Sequence, residues 1–194
     1  MSVIAFDFDL TFADSLSPWL RWVNASGANP PVTMDSIVGK GDLVPYFDAL
    51  GVKDSWEYWI LPNLYDDMEP MKNAVEVLQA LKDRGHTVIC VSACTPEHLA
   101  SKKRMIEKYV PFIDGFIDTH DKQFVDFDVI VDDSESMVLK MAEYGKKVIQ
   151  PLTPPSELVV HPNVFNDPNI PYGKFWMDTH AVVELIEHWA GVSR

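Results

Sequence analysis

The residues with the clearest chemical promise are aspartates that come in pairs. Asp7 and Asp9 close an apolar run in SVIAFDFDLTFADS, and Asp132 and Asp133 close another in FDVIVDDS. Neighbouring carboxylates repel each other unless a positive charge stands between them. Three of them at one point make a site for a hard divalent cation, and Mg²⁺ favours a few carboxylates completed by water and phosphate oxygens. Ser92, ending the run TVICVS, and Lys122 add a hydroxyl and an ammonium that can hold the other phosphate oxygens. Together the set suits phosphoryl transfer, where positioning and charge neutralisation carry most of the work. Lys102 and Lys103 are rivals for the ammonium, but a surface helix usually carries such lysines as solvated charges, which favours Lys122.

These groups meet only if the elements beneath them line up. Ser2 to Phe8 reads as a short strand buried on both faces. Further strands are expected at 87–92, 115–119, 129–131 and in KKVIQ. Helices between them are expected at 73–84, from Pro96, and at 135–144, with Gly85 and Gly145 as stops. Alternating strands and helices predict an α/β fold, a Rossmann-like parallel sheet of five strands flanked by helices. Two carboxylates two residues apart on a strand share a face, so Asp7 and Asp9 point together while Phe8 turns into the core. A Pro-rich stretch, 151–173, reads as a loop without assigned chemistry before a last helix near 178–189.

The helix at 73–84 already supplies the crossover that a parallel strand pair needs. Residues 14–69 are therefore surplus, and they hold four of the six tryptophans. They read as a helical cap inserted after the first strand, which divides the chain into a core of residues 1–13 and 70–194 and a cap of 14–69. The cap then lies over the strand ends, where open α/β sheets bind ligands.

The chain has 194 residues, 47% of them apolar, and a formal charge of −13. That charge disfavours polymeric nucleic acid and anionic membrane as partners. No stretch approaches the roughly 20 apolar residues of a membrane helix. The apolar run at the start stops at Asp7 with no Lys or Arg before Arg21, so no targeting leader is expected. Cys90 and Cys94 would stand roughly 13 Å apart on a strand, which suits two reduced thiols in the cytoplasm. The histidines show no paired zinc-ligand spacing.

DFDLT, Ser92 after its strand, Lys122, and VIVDD resemble the four motifs of the haloacid dehalogenase-like phosphohydrolases. MEPMKNAVEVLQAL and THDKQFVDFDVIVDD narrow the resemblance to the 5′(3′)-deoxyribonucleotidase branch. The resemblance implies a sheet order of 5-4-1-2-3 and a Mg²⁺ cofactor. It makes Asp7 the nucleophile and Asp9 the acid/base. Asp7, Asp132 and the Asp9 main-chain carbonyl become the metal ligands, Ser92 and Lys122 the phosphate binders, with Asp133 and Thr11 in support. It departs at Leu10, where a glycine is frequent, at SACTP, and at His120 in place of an arginine.

An aromatic cap over a phosphate site points to a nucleoside monophosphate, with Trp19, Tyr46, Phe47 and Trp56 as candidates to stack on the base. The same rings would serve as the cap's own core. An exposed apolar cap face would serve a homodimer as well as a ligand. Another small phosphometabolite, such as a sugar phosphate, and a phosphate-binding protein without catalysis are the alternative readings.

Overall fold

Val3 to Phe6 form the central strand β1 (Val3–Phe6) of the computed structural model, which describes residues 1–192. β1 pairs in parallel with β2 (Thr87–Ser92) on one side and β4 (Val129–Val131) on the other. β3 (Gly115–Asp118) lies beyond β2, and β5 (Val148–Ile149) beyond β4. Burial alternates along the strands. Ile4, Phe6, Val88 and Cys90 enter one apolar cluster, while Ala5, Ile89, Val91 and Ile130 enter a second on the opposite face. The helices α3 (Ala74–Asp83), α4 (Pro96–Tyr109) and α6 (Thr179–Trp189) contribute to the first cluster and α5 (Glu135–Glu143) to the second.

Gly85 and Gly145 stop α3 and α5 as the sequence predicts, at φ +84° and +83°. The amides of His86 and Lys146 then reach back to Leu81 and Met141, satisfying carbonyls at the helix ends.

Among the described residues the sheet has a sixth strand, β6 (Val164–Phe165), and its order is 3-2-1-4-5-6. The five-stranded expectation is one short. β6 lies inside the Pro-rich segment and is two residues long, too short for any alternation to reveal it. It is held by amide bonds from Val148 to Asn163 and from Gln150 to Phe165.

The insertion after β1 is helical as expected, with α1 (Leu16–Ala25), α2 (Leu43–Ala49) and short 3₁₀ segments at Asp35–Ile37 and Ser55–Ile60. Leu16, Trp19, Leu20 and Val23 form the buried stripe of α1. Trp19 meets Phe47 edge-on at 5.0 Å and Trp59 at 5.3 Å, and its indole N–H donates to the Ser55 carbonyl. The chain leaves and re-enters the core along two paired limbs: Ala13 bridges Pro70, and Asp14 and Met71 bond across to Glu69 and Phe12. The cap interior continues directly into the apolar cluster on the sheet. No helix among the described residues is long and apolar enough to cross a membrane.

Candidate active site

The strand order reverses between β1 and β4, and the tips of these strands open a crevice at the C-terminal edge of the sheet. The amide of Asp7 still pairs with the Val131 carbonyl at 2.8 Å, so its position is set by the sheet. After Phe8 the chain turns sharply, and the amides of Phe12 and Ala13 both bond the Phe8 carbonyl. Leu10, in the place where the resemblance favours glycine, adopts φ +57° in this turn. An L side chain there costs about 1–2 kcal/mol. A cavity of about 180 Å³ is lined by Asp7, Asp9, Ser92, Ala93, Lys122, Ser134 and Met137.

Each of the first two aspartates has its own lysine. Lys122, in a short 3₁₀ turn after β3, donates to Asp7 Oδ1 at 2.6 Å and to Asp132 Oδ2 at 2.7 Å. Lys102, on α4, donates to Asp9 Oδ2 at 2.5 Å, to Ser92 Oγ at 2.9 Å and to the Ala93 carbonyl at 3.2 Å. The expectation that Lys102 is a solvated surface charge is therefore corrected: it is 1% exposed, whereas Lys103 faces solvent. The buried stripe of α4 runs His98, Ser101, Lys102, Met105 and Ile106, which places Lys102 on the inward face. That spacing is visible in the sequence once His98 is taken as the stripe's start.

Behind the aspartates, Thr11 Oγ1 donates to Asp133 Oδ1 at 3.0 Å, and the Trp176 indole N–H donates to the Thr11 carbonyl at 2.8 Å. Tyr65, on the limb returning from the cap, donates its hydroxyl to Asp9 Oδ1 at 2.8 Å. Neither Tyr65 nor Trp176 has a local sequence signal. Both arrive from segments far along the chain, through tertiary packing alone.

Asp7, Asp132 and Asp133 bring one oxygen each within 4.8 Å of one another, and all three are buried. Burial pushes the Asp7 carboxyl up to about 6, with Lys122 pulling the other way and Asp132 adding to the rise. Burial also drives Asp133 well above the usual carboxylate range, reinforced by Asp7 and Asp132. Burial alone would lower Lys122, but the carboxylates of Asp7 and Asp132 outweigh it and raise the ammonium. Four carboxyl groups thus face two ammonium groups, an excess of two negative charges when all are ionised. A divalent cation matches that excess, and Lys122 occupies only one oxygen each of Asp7 and Asp132. The donor set is all oxygen, as Mg²⁺ requires. The Asp9 side chain is turned to Tyr65 and Lys102, so its share in a metal site would come from its main-chain carbonyl.

None of the four candidate base-stacking residues lines this cavity. Trp19 and Phe47 are 8% and 0% exposed, locked into the cap interior, so the base-stacking expectation is corrected for these two. A cap of this size needs large rings to hold together, and each such side chain contributes roughly 1.5–3 kcal/mol by burial. Trp56 is 47% exposed, and Tyr46 is half-buried with Lys40 over its ring at 5.3 Å.

The sequence profile of the family described as 5′ nucleotidase, deoxy (pyrimidine), cytosolic type C protein matches residues 1–151. No curated protein matches the chain. Among solved structures, a haloacid dehalogenase-like family hydrolase from Xanthomonas campestris is similar with a TM-score of 0.56 at 14% identity, over 100% of this chain and 99% of that one. A HAD-superfamily hydrolase from Ehrlichia chaffeensis is similar with a TM-score of 0.51 at 16% identity, over 95% of this chain and 97% of that one. At these identities the likeness is one of fold.

Proposed function

The chain belongs to this 5′-nucleotidase family of phosphomonoester hydrolases, and from that premise we propose that it hydrolyses nucleoside monophosphates, deoxyribonucleotides foremost, to nucleoside and phosphate. The observation that supports this most directly is the separate pairing of Asp7 with Lys122 and of Asp9 with Lys102 at one cavity. A nucleophile and an acid/base two residues apart need different environments, and the two lysines provide them.

Asp7 Oδ attacks phosphorus as the bond to the ester oxygen breaks, giving an aspartyl-phosphate. Asp9 gives its proton to the departing oxygen. Asp9 then takes a proton from water, which attacks phosphorus, frees Asp7 and releases phosphate. Ser92, Lys102 and Lys122 grip the non-bridging oxygens. Lys122 also keeps Asp7 charged against the pull of burial. Asp7, Asp132 and the Asp9 main-chain carbonyl would hold Mg²⁺, with Asp133 and Thr11 fixing the surroundings. When bound, the ion supplies neutralisation of the charge gathering on the phosphoryl oxygens.

We take residues 14–69 as the cap and residues 1–13 with 70–194 as the catalytic core. Of the four candidate rings, Tyr46 and Trp56 are left to meet a base. The matched family is described as cytosolic, and Cys90 and Cys94 are free thiols, which supports a cytoplasmic location for this chain. One observation favours a second reading, a smaller phosphometabolite: the cavity holds only about 180 Å³, below the range of about 300–1,000 Å³ usual for small-molecule pockets.

A single panel separates the two. Phosphate release is measured with Mg²⁺ on 5′- and 3′-nucleoside monophosphates, deoxy and ribo, and on sugar phosphates, with Asp7→Asn as the inactive control. Release confined to nucleotides with a deoxy preference supports the first reading. Release from sugar phosphates alone discards the substrate and keeps the chemistry, and no release from any ester leaves a phosphate-binding protein.

A further inference from the structure

Both oxygens of Asp9 are held by side chains that come from other elements of the fold. Tyr65 holds Oδ1 at 2.8 Å and Lys102 holds Oδ2 at 2.5 Å. The two donors differ in what they are free to do. Lys102 is shared with Ser92 Oγ and the Ala93 carbonyl, so a phosphoryl group settling at Ser92 competes for its ammonium. The Tyr65 hydroxyl has one proton to donate, and Asp9 Oδ1 receives it.

The ring that carries this hydroxyl is buried against three neighbours. Tyr65 is 2% exposed and meets Phe8 edge-on at 5.2 Å and His98 at 5.4 Å, with the Lys102 ammonium 5.1 Å from its ring centre. Phe8 belongs to the turn that bears Asp9, His98 belongs to α4, and Tyr65 itself rides on the limb returning from the cap. A phenylalanine would fill the same slot. The hydroxyl adds nothing to that packing, yet it is aimed at the carboxylate that must carry the proton.

We infer that Tyr65 is a positioning residue supplied by the cap limb, which anchors Asp9 Oδ1 so that Oδ2 is the oxygen that delivers the proton to the leaving group. When the phosphoryl group draws Lys102 off Oδ2, the Tyr65 bond keeps the carboxyl from rotating. Freed of the ammonium, Oδ2 takes a proton from water at the cavity that Asp9 lines. That proton passes to the ester oxygen as its bond to phosphorus breaks, and the electron pair of that bond stays with the oxygen. Tyr65 keeps its own proton throughout. The inference rests on the hydrolytic reading above and adds to it a tie between the cap and the acid/base.

The test is Tyr65→Phe, assayed on two substrates whose leaving groups differ in their need for a proton. One is the alkyl phosphate ester turned over fastest in the substrate panel, whose alkoxide needs protonation. The other is acetyl phosphate, whose acetate leaves without it. The readout is the ratio of kcat/KM on the ester to kcat/KM on acetyl phosphate. This ratio covers only steps through departure of the leaving group, and misfolded protein lowers both terms alike. A fall in the ratio of roughly tenfold to a hundredfold is expected. Adding Tyr65→Phe to Asp9→Asn should change the ratio no further, because the two residues act through one proton. An unchanged ratio in Tyr65→Phe, with both substrates slowed equally or not at all, overturns the inference while leaving the hydrolytic reading intact. A wild-type protein inactive on both substrates overturns that reading and the inference with it.

Discussion

The two edges of the sheet use the same kinds of side chain to opposite ends. Where the strands begin, polar groups are bound to the protein itself. Asp128 accepts the amide of Val3 and Asp114 that of Val88, each at 2.7 Å, while His86 Nδ1 accepts the amide of Ser2 at 3.3 Å. With Nδ1 accepting, Nε2 of His86 carries the proton and donates to Glu187 at 3.0 Å, and Arg84 donates to the other Glu187 oxygen at 2.7 Å. Where the strands end, Asp7, Asp9 and Lys122 line an open cavity, with Lys102 buried behind Asp9. The carboxyl groups record the difference. Burial works to raise Glu187, but His86 and Arg84 hold it below its usual range, whereas burial prevails at Asp7 and Asp133 and raises both. At one edge the donors outweigh burial, and at the other they fall short of it. A deficit of that kind, kept in a buried place, marks the edge that awaits a cation and a phosphate.

Replacing the nucleophile gives the largest separation between the edges. Asp7→Asn should lower phosphate release by at least about a thousandfold. The urea midpoint should stay level or rise, since a neutral amide relieves a buried carboxyl and Lys122 keeps Asp132. A clear fall in the midpoint would erase the contrast.

At the opposite edge the effects should trade places. Glu187→Gln leaves His86 without its carboxylate while Arg84 keeps Glu184, and should lower the unfolding free energy by about 1–3 kcal/mol. Activity per folded molecule should be unchanged. Urea unfolding and active-site titration on the same preparation give both numbers.

Acid should pull the two edges in opposite directions. The unfolded chain loses the Asp7 proton near 3.8, and the folded protein keeps it to about 6. Over that window the folded state holds more protons, so the Asp7 contribution to stability is full below it and is lost as pH rises through it. Glu187 is lowered from its ordinary 4.5, so its contribution is present above that value and is lost on acidification. Mg²⁺ should restore what Asp7 loses, raising the melting temperature more at about pH 8 than at about pH 5. An equal rise at both would place the ion elsewhere.

Much of this arrangement can be read from the chain, and the rest fails for identifiable reasons. Strands such as Val129 to Val131 declare themselves by apolar runs that end in acids, and Gly85 and Gly145 mark helix ends because only a residue at ease with positive φ fits there. β6 escapes because two residues show no period. Lys102 escapes because a lysine in an inward stripe is rare, and its burial depends on Asp9, 93 residues away in sequence. Tyr65 and Trp176 reach the site across tertiary contacts that no local pattern encodes. The cap's aromatic content is plain in the sequence, but whether a ring faces inward or outward is decided by packing, which separates Trp19 from Trp56.

Within the structural edge, burial should decide how much a pair is worth. Lys82 and Asp114 approach to 2.6 Å, closer than Arg84 or His86 comes to Glu187, yet their side chains are 22% and 38% exposed. Solvent screens such a pair, and holding a lysine in place has an entropic cost that offsets most of the attraction. Asp114 also keeps its bond to the Val88 amide when the lysine is gone. Lys82→Ala should therefore lower stability by less than about 1 kcal/mol, and added salt should shrink the difference further. A loss equal to that of Glu187→Gln in the same urea series would mean that contact distance, and not burial, ranks the charged groups along this edge.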